Sequence, residues 1–508
     1  MKRPSSSRKK ADSSLPDTSA RVDFTVPEEV SRVTKTLKNA GFEAFLVGGC
    51  VRDLLMGRTP KDWDVTTNAT PEEIIPLFPK TFYENPYGTV GVVHEGTEDP
   101  TLKVVEVTPY RLETSYSDGR RPDSVQFSKR LEDDLKRRDF TINAIAMGSD
   151  GEIVDLYGGI KDIHAGIIRT VGDAGERFSE DGLRIMRAVR LFAELGFSID
   201  QDTEEGIKKM ATMLGKIAKE RIRDEFVRII ESPRPAQGLE MSFKLGILGY
   251  IVPELEQGIG IRQNQAHAFD VWTHLLKTLQ HAADKQWPLH IRLAALFHDV
   301  GKPKTRRFDE GKKDYTFYGH EVVGARMTEK IMQNLRFSND LTDQVVKLVR
   351  WHMFFSDTEQ ITLSAVRRLI AKVGKENVWD LMNVRICDRI GTGRPKENPY
   401  RLRKYKSMIE EVMRDPVSVG MLKIDGKGVM EAAHIPAGPK IGHILHALLE
   451  EVLDDPTRNT SEYLQERALT LSTLSETELE AIGKKGREKK EEEDEKGVKE
   501  IRDKYHVE

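Results

Sequence analysis

The spacing of apolar positions changes near residue 165. From about residue 25 to 165, short apolar runs alternate with helical patterns, and from 166 onward apolar residues recur almost wholly at helical spacing. The first stretch predicts an α/β head and the second an all-helical remainder, so the expected class is α+β with the two kinds of element segregated along the chain. Within the head, Phe45 to Val47 is expected as a short buried strand, Gly48-Gly49 as a tight turn, and Val51 to Met56 as the first turns of a helix. Further strands are expected at Ile142 to Met147 and in KVVEVTPY, the latter with Glu106 at its centre. The helical part divides into a neck (166–250), a body (251–400) and a tail (401–475). Residues 1–24 and 476–508 have almost nothing to bury and are expected to be disordered or solvated.

The head places chemistry on this pattern. A Gly48-Gly49 turn leaves backbone N–H groups unpaired at a helix N-terminus, where the dipole favours negative charge, so a triphosphate fits there with Arg52 close enough to add a charged fork. Downstream, PKDWDVTT carries Asp62 and Asp64. If both lie on a strand they share a face, while Trp63 points to the other. Two carboxylates so placed can hold two Mg²⁺ roughly 4 Å apart, the arrangement that serves in-line nucleotidyl transfer. Glu106 is either an exposed edge residue or a third acid beside the metals.

Two later segments bear on the same site. LKRRDFTINAIAM sets Arg137, Arg138 and Asp139 in front of an apolar strand. ERFSEDGLRIMRAVRLFAELGF carries an apolar stripe of Leu183, Ile185, Met186, Val189 and Phe192, with Asp181, Arg184 and Arg187 at steps of three on a polar arc. By periodicity alone, this is an amphipathic helix with ion pairs on its wet face. Taken in order, the four motifs resemble the class II CCA-adding tRNA nucleotidyltransferases and bacterial poly(A) polymerases, whose head is a polymerase-beta-like palm. That resemblance implies that Asp62 and Asp64 hold Mg²⁺ with Glu106 as a further catalytic acid. Gly48, Gly49 and Arg52 would cradle phosphates, and Arg137, Arg138 and Asp139 would contact the ribose and phosphates. Asp181 and Arg184 would read the base, with Arg187 and Arg190 left to phosphate contact or support. Cytosine and adenine both present an exocyclic amine beside an acceptor nitrogen, whereas uracil and guanine put a carbonyl at the amine position. The segment ETSYSDGRRPDSVQF resembles the flexible loop associated with the switch from C to A addition.

A different constellation follows. RLAALFHDVGKPKTR ends an apolar helix with His298 and Asp299, a costly pair at such a place unless it binds something. With His274, His320, His352 and Asp388 it resembles the HD phosphohydrolases, whose His and Asp ligands bind one or two transition metals. Imidazole and carboxylate suit several divalent ions, so Ni, Mn, Fe and Co all remain open. In some relatives this domain processes 2′,3′-cyclic or 2′-phosphate RNA ends; in others it is vestigial.

Composition narrows the partners. A formal charge of −3 over 508 residues confines any nucleic-acid surface to local patches. Lys208 to Arg228 is one candidate; Arg394 to Lys406, with Tyr400 and Tyr405 interleaved, is another. No apolar run is long enough for a membrane. Cys50 and Cys387 are the only cysteines, which fits a reducing cytoplasm. MLKIDGKGVMEAAHIPAGPKIGHILHALLEEVLDDPTRN resembles the tail of bacterial CCA-adding enzymes. The expected activity is therefore template-independent addition of CCA to tRNA from CTP and ATP, with a possible phosphohydrolase activity on RNA ends. A poly(A) polymerase, or an enzyme adding only C or only A, is the alternative within the class. An HD metal-dependent phosphohydrolase is the alternative outside it.

Overall fold

The apolar run Ala44–Val47 forms strand β1, and the head is built outward from it. The computed structural model describes residues 26–83, 88–113, 125–265, 267–354, 361–479 and 481–482. The expected N-terminal tail, most of the charged C-terminal stretch and the centre of ETSYSDGRRPDSVQF lie outside these residues. The described residues up to Phe226, with Met241–Tyr250, make one compact unit; Val227–Glu240 and the residues from Ile251 onward make another.

In the first unit, β1 pairs antiparallel with β2 (Asp64–Thr67) on one side and β8 (Ile145–Gly148) on the other. With β3 (Thr81–Tyr83), β4 (Val90–Val93), β5 (Val104–Pro109) and β9 (Ile153–Asp155) they form a seven-stranded sheet in the order β3-β4-β5-β2-β1-β8-β9. Strands β6 (Arg111–Glu113) and β7 (Val125–Phe127) form a separate antiparallel pair. The period of two is visible in burial: Val105 and Val107 on β5 and Val65 on β2 are fully buried, while Glu106 and Asp64 are only partly so. β2 and β5 run parallel with Asp64 opposite Glu106, so the two acids stand side by side on one face. β5 lies between β4 and β2, which makes it an interior strand and removes the edge alternative for Glu106. Further along that same face, Val47, Tyr110, Leu131, Leu135 and Ala146 pack into a common core.

Gly48 joins β1 to the helix Gly49–Leu55. Its φ of 82° is open to glycine at little cost, and a Cβ built there would stand 3.0 Å from Nη1 of Arg138. Two expectations shift here. Asp62 lies in the bend before β2 and is exposed, so the strand supplies Asp64 but not Asp62. Asp181 is not on the polar arc of the following helix: it ends the helix Ala174–Glu180 in extended conformation, and Leu183–Leu195 begins after Gly182. That second helix buries Leu183, Ile185, Met186 and Val189 of the expected stripe, leaves Phe192 half-buried, and buries Leu191 besides.

The second unit is mainly helical. Leu289–Phe297 buries every side chain from Ile291 to Phe297, Arg292 included. It packs against Val271–Asp284, Asn339–Trp351 and Val378–Gly391, while His320–Asn334 packs on Asn339–Trp351. Five more helices, from Leu363–Val373 through Tyr400–Val412 to Ser461–Ser472, interleave with and follow them. The all-helical expectation beyond residue 166 needs two corrections. Ile167–Ile168 and Ser198–Ile199 pair in parallel, and Arg307–Asp309 pairs antiparallel with Asp314–Thr316. In the latter, the Asp309 carboxylate accepts from the Lys312 N–H and closes a turn that propensity would leave as a polar loop. No described helix is long and apolar enough to cross a membrane.

Gly48→Ala is expected to lower the stability of the head by about 1–2 kcal/mol, because the positive φ and the Arg138 approach both oppose a Cβ. Urea melts of the two proteins should separate accordingly; coincident melts would mean that the turn relaxes freely.

Candidate functional site

The head site starts from the pairing of Asp64 with Glu106. A Cβ on Gly48 would lie 3.6 Å from Oδ2 of Asp64, so the acid and the glycine turn adjoin. Two carboxylates in register on one sheet face, with a bare backbone beside them, are the donor chemistry of a hard divalent cation. Asp62, from the preceding bend, and the other two acids do not close to within 4.8 Å of one another; the groups that do so, among the described residues, are both in the helical unit.

Arginines surround this pair, and buried carboxylates hold them. Asp134, fully buried on the helix Leu131–Lys136, accepts from Nε of Arg137 (2.8 Å), Nη2 of Arg138 (3.0 Å) and Oγ1 of Thr66 (3.3 Å). Burial opposes its charge, but Arg137 and Arg138 outweigh that and hold its pKa down to about 2. Asp139 is likewise buried. Its Oδ2 accepts from Nε of Arg187 at 2.7 Å, and its Oδ1 from the Phe140 N–H at 2.9 Å and Nδ2 of Asn143 at 3.3 Å. Burial again opposes ionisation, and Arg187 and Arg184 keep the carboxyl well below the usual range. Asn143 in turn accepts from Nη1 of Arg52 at 2.8 Å, while Nε and Nη2 of Arg52 bind Asp53.

The expected base readers have other partners. Asp181 receives Nη1 and Nη2 of Arg221 at 3.3 and 2.7 Å and the Leu183 N–H at 3.0 Å. Arg184 donates to Glu180, to the Arg177 carbonyl and, at 2.9 Å, to the Arg137 carbonyl. Arg190 is buried against Glu225, with Nη1 at 3.2 Å from its carboxylate, and so belongs to helix packing. Sequence reasoning missed Asp134, Asn143, Arg221 and Glu225. Asp134 had a signal, since it precedes Arg137 and Arg138 by three and four residues, the spacing of helical ion pairs. Arg221 had none, being 40 residues from Asp181.

In the helical unit the six expected ligands converge. Asp299 Oδ2 lies 3.1 Å from Nε2 of His274 and 3.2 Å from Nε2 of His298; its Oδ1 lies 3.1 Å from Nε2 of His320 and 3.6 Å from Nε2 of His352. Asp388 Oδ1 is 3.5 Å from His274 and 3.7 Å from His298. All six are buried. One carboxylate thus joins two ligand groups, His274, His298, Asp299 and Asp388 on one side and Asp299, His320 and His352 on the other. The Nδ1 atoms of His298, His320 and His352 face the carbonyls of Ala295, Phe317 and Val349 at 2.7–2.9 Å. A carbonyl only accepts, so Nδ1 carries the proton and Nε2 is left with its lone pair aimed inward. Burial opposes a charged imidazole at His298, yet Asp299 and Asp388 outweigh it and push its pKa up to about 9; positive charge at Nε2, from a proton or from a bound cation, is what these two acids favour. Gly301 makes room: a Cβ there would lie 2.4 Å from the His320 carbonyl oxygen. Two further residues escaped the sequence. Lys302 places Nζ 2.6 Å from Asp299 Oδ2, and Arg385 binds Asp388.

Asp134→Asn should destabilise the head by about 3 kcal/mol at pH 7, because it strands two partly buried guanidiniums. The folded pKa of Asp134 lies below the ordinary carboxylate value of about 3.9, so its contribution is present above that value and lost as pH falls toward about 2. Denaturant melts of both proteins should therefore converge across that window; a gap constant down to pH 2 would contradict the assignment.

Three family profiles match in chain order. They are described as the poly A polymerase head domain (residues 44–169), a probable RNA and SrmB- binding site of polymerase A (196–259) and the HD domain (271–390). A CCA-adding enzyme of Geobacillus thermodenitrificans is 34% identical over 445 residues, 86% of this chain and 96% of that one. One from Leuconostoc mesenteroides is 44% identical over 251 residues, 48% of this chain and 61% of that one. The crystal structure of the Bacillus stearothermophilus CCA-adding enzyme in complex with CTP matches with a TM-score of 0.65 at 31% identity, covering 88% of this chain and 98% of that chain.

Proposed function

The chain belongs to the CCA-adding enzymes, and from that premise we propose how its own residues carry the activity. The protein adds CCA to the 3′ end of tRNA, using CTP and ATP and no nucleic-acid template. The observation that carries this is the in-register pair Asp64 and Glu106 beside the Gly48 turn. Asp62 and Asp64, with Glu106 at their side, are the residues that would hold Mg²⁺. The chemistry that Mg²⁺ would supply there is a lowered pKa for the attacking ribose hydroxyl and neutralisation of charge on the triphosphate and pyrophosphate.

The rest is done by the chain. The Gly48-Gly49 turn presents backbone without a Cβ to the phosphates, and Arg138, fixed by Asp134, lies against it. Asp139 is oriented toward the ribose by Arg187 and Asn143. Asp181 accepts from the exocyclic amine of cytosine or adenine, and Arg184 donates to the adjacent ring nitrogen. Arg221 and Glu180 hold these two side chains in place. Uracil and guanine would set a carbonyl against the Asp181 carboxylate and leave polar groups unpaired, a discrimination of about 10⁴-fold.

The helical centre supports a second activity, hydrolysis of phosphate esters at RNA ends. Asp299, sharing its two oxygens between the two histidine pairs, carries this reading. His274, His298, Asp299, His320, His352 and Asp388 would hold a divalent transition ion such as Ni, Mn, Fe or Co, and the chemistry it would supply is a water nucleophile at neutral pH.

Purified protein given tRNA lacking its end, Mg²⁺ and each labelled nucleotide should incorporate CTP and then ATP and stop after three residues; long A tracts would select a poly(A) polymerase instead. Asp62→Ala and Asp64→Ala should each cut CMP incorporation by about 10²- to 10³-fold or more while sparing hydrolysis of a 2′,3′-cyclic phosphate end. His298→Ala and Asp299→Ala should do the reverse and lower bound transition metal, read by elemental analysis. If either pair of variants impaired both reactions equally, the division of labour would fail.

Asp181→Asn tests the base reading separately. An amide can donate to the carbonyl of uracil, so the preference for CTP over UTP should shrink by at least about 10-fold. An unchanged ratio would remove Asp181 from base selection.

A further inference from the structure

Neither activity uses the hairpin that connects two ligands of the helical centre. Its strands, Arg307–Asp309 and Asp314–Thr316, set Phe308 directly opposite Tyr315, so both rings occupy one face. The rings meet edge to face at 5.2 Å, and the guanidinium of Arg306 lies 3.5 Å over Tyr315. The Nε of Arg306 is buried with no hydrogen-bond partner. On the other face Asp309 is buried and fixes the turn through the Lys312 N–H. The result is a preset stack of Arg306, Tyr315 and Phe308 that leaves Phe308 50% exposed.

Cross-strand packing accounts for Tyr315, but not for the open side of Phe308. It does not account for Tyr318 either, which is also 50% exposed and lies two residues before His320. Met353, immediately after His352, is exposed to the same degree. Large exposed apolar side chains therefore recur beside ligands of the centre in sequence.

The hairpin is tied to the centre at both ends. The short helix Lys302–Thr305 leads from Asp299 to Arg306, and Tyr318 leads to His320. A third tie is lateral: the Gln265 N–H donates to Asp314 at 2.9 Å. Gln265 belongs to a loop whose residues Arg262, Gln263, Asn264 and His267 line a cleft of about 330 Å³. Gln263 and His267 reach Lys302, and Lys302 reaches Asp299.

Charge favours an anionic occupant. Of the three hairpin acids, Asp309 lies 3.6 Å from Lys312, Asp314 is engaged by backbone N–H groups, and Glu310 is exposed in the turn, against the four cations Arg306, Arg307, Lys312 and Lys313. Arg306, Arg307 and Lys313 add positive charge around the rings, with Arg262 on the loop. Rings with an open face, cations around them and a cleft toward metal-ligating residues are the combination that holds single-stranded nucleic acid.

We propose that this hairpin is the nucleobase platform of the helical centre: the terminal base of a single-stranded RNA end stacks on the open side of Phe308, and the surrounding cations take its backbone phosphates. The platform deepens the phosphohydrolase reading above and rests on it. It makes the substrate an oligoribonucleotide end and not a small phosphate ester.

The test uses the full chain with Mn²⁺ and two substrates, an oligoribonucleotide ending in a 2′,3′-cyclic phosphate and bis(p-nitrophenyl) phosphate. Phe308→Ala should raise KM for the oligoribonucleotide by about 10-fold, the size of one lost base stack, with kcat within about twofold. The preference for the oligoribonucleotide over the small ester falls by the same factor, and Phe308→Trp restores it. CMP incorporation by the same variants reports that they fold. In parallel, an oligoribonucleotide ending in 4-thiouridine is photo-cross-linked to the full chain, and the attachment should map between Arg307 and Tyr318. Hydrolysis with no cross-link there and no change in KM overturns the platform and leaves the hydrolase reading standing. Cross-linking at the hairpin by a protein that hydrolyses neither substrate overturns the hydrolase reading and supports the platform as an RNA-binding surface. Absence of both overturns both.

Discussion

Asp134 is a charge that the head can neither expose nor lose. Taking a carboxylate out of water costs several kcal/mol, and only close cations with good geometry offset it. Here Arg137 and Arg138 do so from the end of the same helix, while Thr66 attaches the carboxylate to β2. Thr66 is two residues beyond Asp64 on that strand. Asp64 and the guanidinium of Arg138 that faces the glycine turn are therefore parts of one rigid frame, fixed through a buried carboxylate. Asp139 repeats the device one turn on, linking Arg187 to Asn143 and, through it, to Arg52.

The helical centre solves the orientation problem with backbone instead of arginine. His298 and His352 each sit at the C-terminal cap of a helix, and each faces a carbonyl of that helix's last turn. Those carbonyls have no intrahelical partner, so the imidazole satisfies one orphan acceptor and is turned inward by the same bond. Helix termination and ligand orientation are one event at these two positions.

What could be read from sequence followed period and short-range spacing. The apolar run KVVEVTPY gave its strand with Glu106 at the centre, the stripe from Leu183 to Phe192 gave its helix, and His298-Asp299 stood out because such a pair is costly at the end of an apolar helix, with His274, His320, His352 and Asp388 joined to it by resemblance to the HD phosphohydrolases. Partners distant in the chain were not legible. Nothing local pairs Asp181 with Arg221 or Arg190 with Glu225, because those bonds exist only after the neck helices have packed. The hairpin at Arg307–Thr316 was lost for a different reason: its turn is a run of charged residues that looks like solvated loop until Asp309 is seen to be buried. Asp62 and Asp181 show the remaining limit, since both lie a residue or two outside the element whose periodicity was applied to them.

Each centre also carries a thiol. Cys50 follows the glycine pair, fully enclosed, with its Sγ toward the carbonyls of Val47 and Asp64, and burial pushes its pKa up to about 12. Cys387 precedes Asp388 and is equally enclosed, its pKa raised well above the ordinary value by burial. Neither is nucleophilic while its surroundings stay closed. Alkylation of one or the other therefore clocks the local opening of its own neighbourhood, and the chain contains a pair of silent gauges, one in each compact unit, that need no engineered label.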